Sequence, residues 1–182
     1  AYLAEDNAAI LAAFYCGAAH FTNSIDPVEF DRINATYPGE LTFEELIGTY
    51  YILFNVHKDV SPAGKQLTVQ EQSKARFALG LMINRQELTQ YVTKGGQTPA
   101  IGFFPAGLAD GTNLDVRSAE GYSTWYTETA TPSPENPDFT VDQVTAIKTL
   151  MELGYAYTGT IEAGDITFTD FPAIEFAFNN SG

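Results

Sequence analysis

A chain of 182 residues that is 45% hydrophobic and 13% aromatic can bury one sizeable core or two small ones, which excludes a disordered polymer. Its formal charge of −14, from 23 acidic against 9 basic residues, argues against nucleic acid and against anionic lipid, since both need clustered Lys and Arg. Solubility is the plain reading of that charge, and Cys16, the only cysteine, excludes an intrachain disulfide or a thiolate metal cluster.

Ala1 to Ala4 read as a short strand, after which Asn7 is placed to cap a helix carrying Ile10, Leu11 and Phe14 on one face, with Gly17 closing it. Cys16 sits in the apolar run Ala12-Ala13-Phe14-Tyr15 and is expected as a small buried thiol. Asp26-Pro27-Val28-Glu29 is a helix start with a capping Asp, Pro at the first helical position and Glu three residues on. That helix presents Phe30 and Ile33 and stops at Pro38-Gly39. Tyr50 to Phe54 form a nearly unbroken apolar run, the pattern of a strand buried on both faces. Ala75, Ala78, Leu79 and Met82 recur at helical spacing and predict a core-facing stripe. Asn84 with Glu87 predicts a second helix start, leading into Leu88, Tyr91 and Val92.

Gly95 to Pro137 is rich in Gly, Pro, Thr and Ser and shows no clear period, so a long loop is expected. Thr140-x-x-Gln143 then opens a capped helix with Val144, Ile147 and Met151 inward and Gly154 at its end. Ala173 to Phe178 alternates Ile174, Phe176 and Phe178 against Ala173, Glu175 and Ala177, which predicts a strand with one better-buried face. There is no internal repeat, and no linker is sharp enough to split domains. The predicted order is β-α-loop-α-β-α-α-loop-α-β, an α/β domain with few strands and a small mixed sheet flanked by helices.

Catalytic constellations are weak. Gly121-Tyr122-Ser123-Thr124-Trp125 lacks the second Gly of a nucleophile elbow. His20 and His57 have no ligand partner at i+3 or i+4; His57 reads as a surface-loop residue and His20 as a strand-edge residue. Gly64-Lys65 lacks the earlier Gly of a phosphate loop. Asp110, Asn113 and Asp115 miss the calcium-loop spacing and read as a turn. Glu44-Glu45 reads as a solvated face, because adjacent acids rarely converge on one glycosidic bond. Trp125 with Tyr122 and Tyr126 either pins the long loop or, if exposed, stacks on a ligand; pinning is the expectation.

Four segments in order carry a resemblance. YLAEDNAAILAAFYCGAAHFTNSIDPVEFDRI resembles a helix that ends near A-G-E-I-D ahead of an S-I-P-like loop. GTYYILFNVHKDVSPAGKQLTVQEQSKARFALGLMINR resembles an apolar strand running into a helix with R-x-A-L and I-N-R, and KGGQTPAIGFFPAGLADG carries T-P-A-x-G-F-x-P. VDQVTAIKTLMELGY followed by FPAIEFAFNNSG is similar to a helix ending in A-G-Y and then a strand ending in N-T-S. This order resembles the solute-binding proteins of peptide-type ABC importers, the oligopeptide/dipeptide-binding family (extracellular solute-binding protein family 5). The chain departs from the family at Ala19-His20, where an apolar residue and a carboxylate are usual, at Asn84, where an Asp is usual, and in its longer polar loop from Val60 to Gln70.

The resemblance implies that residues 1–182 form a single α/β lobe, part of the C-terminal lobe of a two-lobed, type II periplasmic-binding-protein fold. It implies a receptor, not an enzyme, with no cofactor and no metal. Its partners would be a peptide ligand, the membrane permease of an ABC importer and the first lobe of the same protein, with no nucleic acid. The location implied is extracytoplasmic and bacterial, a cell-surface lipoprotein or the periplasm. No stretch approaches transmembrane length and no leader is recognisable, so both leader and anchor are expected to be removed or to lie outside this sequence. Loop ends at Glu5, Asn7, Asn23, Ser24, Asn179, Asn180 and Ser181 are the candidate ligand-facing residues. A non-peptide solute such as a metal chelate or a sugar, and a free-standing acidic interaction domain, stay open as alternatives.

Overall fold

The computed structural model describes residues 6–23, 25–43, 46–112, 115–119, 122–126 and 130–177. Among the described residues the structure is mixed: five α-helices, two short 3₁₀ turns and one π-helical turn accompany a two-stranded antiparallel sheet. The chain divides into two compact units, Ala1–Leu46 with Glu87–Thr98, and Ile47–Gln86 with Pro99–Gly182.

In the first unit, α1 (Asn7–Tyr15) is capped by Asp6, whose carboxylate accepts from the Ala8 N–H, and not by Asn7 as the sequence predicts. Both side chains can cap, and the helix simply begins one residue earlier. Gly17 closes the helix as expected, its N–H donating to Phe14 and that of Ala18 to Ala13, the paired bonds of a Schellman end. Cys16 stands at this turn, off the face that buries Leu11 and Ala13, so its thiol is exposed and not buried. The Asp26-Pro27 start holds: a 3₁₀ turn, Pro27–Glu29, runs into α2 (Phe30–Thr36), whose Ile33 is buried. Tyr37 stacks on Tyr15 at 5.6 Å, Arg32 lies 4.8 Å over the Tyr15 ring, and Lys94 pairs with Asp31 at 2.7 Å. The predicted strand at Ala1–Ala4 lies outside the described residues.

The second unit is built on two helices with matching starts. In α3 (Val69–Leu81) Thr68 and Glu71 form a reciprocal capping box, and in α5 (Val141–Leu153) Thr140 and Gln143 do the same. Ala75, Ala78 and Leu81 of α3 share a core with Ala146, Leu150 and Leu153 of α5. Small residues at Ala75, Ala78 and Ala146, all fully buried, leave room for the leucines to interdigitate. Met82 is exposed instead of lying on the stripe, since the helix ends at Leu81 and Leu81 takes the core position. A second cluster joins Val144, Ile147 and Ile161, with Met151 packed against it. α5 stops at Gly154, which adopts the left-handed conformation at φ 93°.

Helix resumes after Asn84, as α4 (Arg85–Glu87), and continues into a π-helical turn, Leu88–Thr93. The sheet pairs β1 (Tyr157–Thr158) with β2 (Thr167–Phe168), with Tyr157 opposite Phe168 and Thr158 opposite Thr167. Both predicted strands fail among the described residues. Tyr50 to Phe54 has no regular structure and is exposed, because a strand buried on both faces needs neighbours on both edges and the described residues supply none. Residues 173–177 are likewise irregular, with Ile174 and Phe176 exposed; Phe178 lies outside the described residues.

Candidate functional site

Of the candidate ligand-facing residues, Asn7 and Asn23 are described, and both are exposed on the first unit. Asn7 is the first residue of α1 and Asn23 sits in a bend. Glu5, Ser24, Asn179, Asn180 and Ser181 lie outside the described residues, as do Glu44, Glu45, Asn113 and Gly121. His20 is in an exposed bend and not at a strand edge, while His57 is on an exposed turn as expected, its N–H donating to Asn55 Oδ1. Asp110 accepts from the Thr112 N–H, a turn bond. Among the described residues no three His, Cys, Asp or Glu side chains group to hold a metal ion.

The densest polar cluster fixes the loop between Asn55 and Thr68. Asp59 accepts from the hydroxyl and N–H of Ser61 and from Gln66, and these bonds, the Ser61 hydroxyl foremost, hold its carboxyl below the usual range. Arg76, nearly buried on α3, donates to the carbonyls of Val56 and Lys58 and to Gln72. Tyr155, also buried, donates its hydroxyl to the Val60 carbonyl. Lys65 donates to the Leu153 carbonyl at 2.6 Å, placing a cation at the C-terminal end of α5 where the helix dipole favours it. Every one of these bonds ends on this loop or a helix, so the cluster anchors the loop to α3 and α5.

The second feature is an exposed aromatic surface. Tyr51 meets Phe103 at 5.4 Å, Phe103 meets Phe104 at 6.5 Å, and Phe104 meets Tyr122 at 6.3 Å. Trp125 is 55% exposed and does not pin the long loop. Tyr126 does that work: it packs on the core, stacks on Phe77 at 5.6 Å and lies beneath Arg85, whose guanidinium carbon is 3.4 Å from the ring centroid. The Trp125 and Tyr126 N–H groups both donate to the Ile101 carbonyl, so the two side chains leave one anchored turn in different directions of burial. Phe103 and Phe104 were detectable as a doublet between Gly102 and Pro105 in a polar loop, a signal that hydrophobic periodicity does not weigh.

Asp115 supplies a pH-dependent element nearby. The Arg117 guanidinium, with the Arg117 and Gly107 N–H groups, lowers its carboxyl to about 2. The unfolded value is about 3.9, so the folded pKa is depressed. This contact therefore stabilises fully above pH ~4, and the contribution disappears as pH falls through about 2. A carboxyl NMR titration is expected to find a midpoint near 2 in the native chain and a clear rise in Arg117→Gln. An unchanged midpoint in the variant would remove the guanidinium as the cause.

Among the described residues no helix is long and apolar enough to cross a membrane. No family model matches the chain, and neither a curated protein nor a solved structure does.

Proposed function

We propose that this chain is one lobe of an extracytoplasmic solute receptor that captures peptides and delivers them to an ABC import permease. The observation that carries the reading is the co-linear order of the four resembling segments. Two helices lend support by position: α3 with the restart at Arg85 falls on the R-x-A-L and I-N-R segment, and α5 ending at Gly154-Tyr155 falls on the segment that resembles A-G-Y. In this reading the lobe belongs to a type II periplasmic-binding-protein fold and supplies one wall of the cleft. The resemblance offers Asn7 and Asn23, with Glu5, Ser24, Asn179, Asn180 and Ser181, as the candidate ligand contacts. Two lobes closing on a hinge grip a peptide through its main chain and leave roomy, wet side-chain pockets, which tolerates many sequences. The chemistry asked of the chain is binding, not catalysis.

Titration calorimetry tests this with a mixed short-peptide library, against the chain alone and against a longer polypeptide that adds the first lobe. Binding by the longer polypeptide alone is expected, with the chain alone no tighter than about 1 mM. Tight binding by the chain alone would show that the whole site is here and overturn the one-wall reading. Silence from both would overturn peptides as cargo and turn attention to a chelate or a sugar.

A further inference from the structure

The most unusual surface of the second unit is the run from Ile47 to Val56. Tyr50 is 100% exposed and Leu53 80% exposed, and no residue from Gly48 to Phe54 makes a backbone hydrogen bond among the described residues. With Phe103 and Phe104 at its side, this run presents on the order of 800 Å² of exposed surface on aromatic and aliphatic residues, backbone included, taking about 200 Å² for a whole residue. The largest apolar patch on an ordinary monomer is roughly 300–600 Å². One partner of a standard stable interface contributes about 800 Å².

We propose that the occupant of this surface is a second copy of the chain, joined by antiparallel pairing of the two runs about a two-fold axis at Ile52. The sequence is self-complementary in that register. Ile52 faces Ile52, Tyr51 faces Leu53, Tyr50 faces Phe54 and Thr49 faces Asn55, so every inner pair joins aromatic or aliphatic side chains. No Asp, Glu, Lys or Arg lies between Ile47 and Val56 in a chain of net charge −14, so the pairing sets no like charges opposite each other. The pairing also satisfies backbone donors and acceptors that are otherwise open along the run. Because the two bodies repel as wholes, added salt strengthens this dimer, the reverse of an interface held by ion pairs. The proposal does not rest on the receptor reading, although the run lies in one of the four segments that carry that reading.

Sedimentation equilibrium of the 182-residue chain tests it, with three proteins at low and high salt: the native sequence, Ile52→Lys and Val69→Lys. Ile52 and Val69 are both exposed on the second unit, so both variants should keep the monomer fold, which circular dichroism verifies. Expected are a native dimer that tightens with salt, a loss of roughly tenfold or more in affinity for Ile52→Lys, and no change for Val69→Lys. A native chain that stays monomeric overturns the proposal and leaves the receptor reading whole. A dimer indifferent to Ile52→Lys, or equally weakened by Val69→Lys, overturns it too. Open-ended assembly beyond the dimer would also overturn it, since a two-fold pairing closes.

Discussion

Replacing Tyr155 with Ala is expected to destabilise the second unit by about 3–5 kcal/mol, the range for emptying an aromatic core site. Tyr155 is only 2% exposed, stacks on Phe171 at 4.8 Å and joins the core shared by α3 and α5. Its hydroxyl also bonds the Val60 carbonyl, so the same side chain fills the core and fastens the loop before α3. Tyr155→Phe separates the two roles: it keeps the ring and leaves the carbonyl unpaired, which costs about 1–3 kcal/mol. Burial, with Asp170 and Asp59 nearby, pushes the hydroxyl up to about 12. The unfolded value is near 10, so this contribution is complete below pH ~10 and is lost as pH rises through about 12. Urea unfolding of the three proteins at neutral and alkaline pH reads all of this. A Tyr155→Ala loss below about 1 kcal/mol would show that the ring is not a core residue.

Gly159→Ala is expected to cost at least about 2 kcal/mol, from a left-handed backbone that opposes a Cβ by about 1–2 kcal/mol and from a collision added to it. Gly159 has φ 79°, and a Cβ there would lie 2.4 Å from the Asp165 carbonyl oxygen. The turn it belongs to joins β1 to β2 and is held by the Thr160 N–H on Asp165 Oδ1. Gly111→Ala is the control, because Gly111 has φ 87° but nothing within 4 Å of an added Cβ. If thermal unfolding finds equal losses at the two sites, the collision contributes nothing.

The parts of the fold legible in the sequence are those set by neighbours within one helical turn. Thr140 and Gln143 specify their own helix start, Asp26-Pro27 specifies another, and the spacing of Val144, Ile147 and Met151 marks the inward face of α5. Thr68-x-x-Glu71 carries the same signature at the start of α3. Strands were not legible, because a strand is defined by its partner. Tyr50 to Phe54 has the composition of a buried strand, yet among the described residues no other strand lies beside it. β1 and β2 have two residues each, too few for alternation to show. The candidate site was legible least of all. Asn7 and Asn23 are exposed, but nothing local to an Asn at a helix start tells a ligand contact from a turn residue, and Asp6 took the cap.

The bonds from Lys65 to Leu153 and from Tyr155 to Val60 span 88 and 95 residues. A ribosome adding about 5–20 residues per second needs roughly 5–20 seconds to bridge such a gap. Throughout that interval α3 has emerged without α5, its alanine and leucine stripe is uncovered, and the aromatic run just before it is uncovered as well. The second unit is therefore made with the apolar stripe of α3 ahead of the helix that covers it, and its core closes only once α5 has been added.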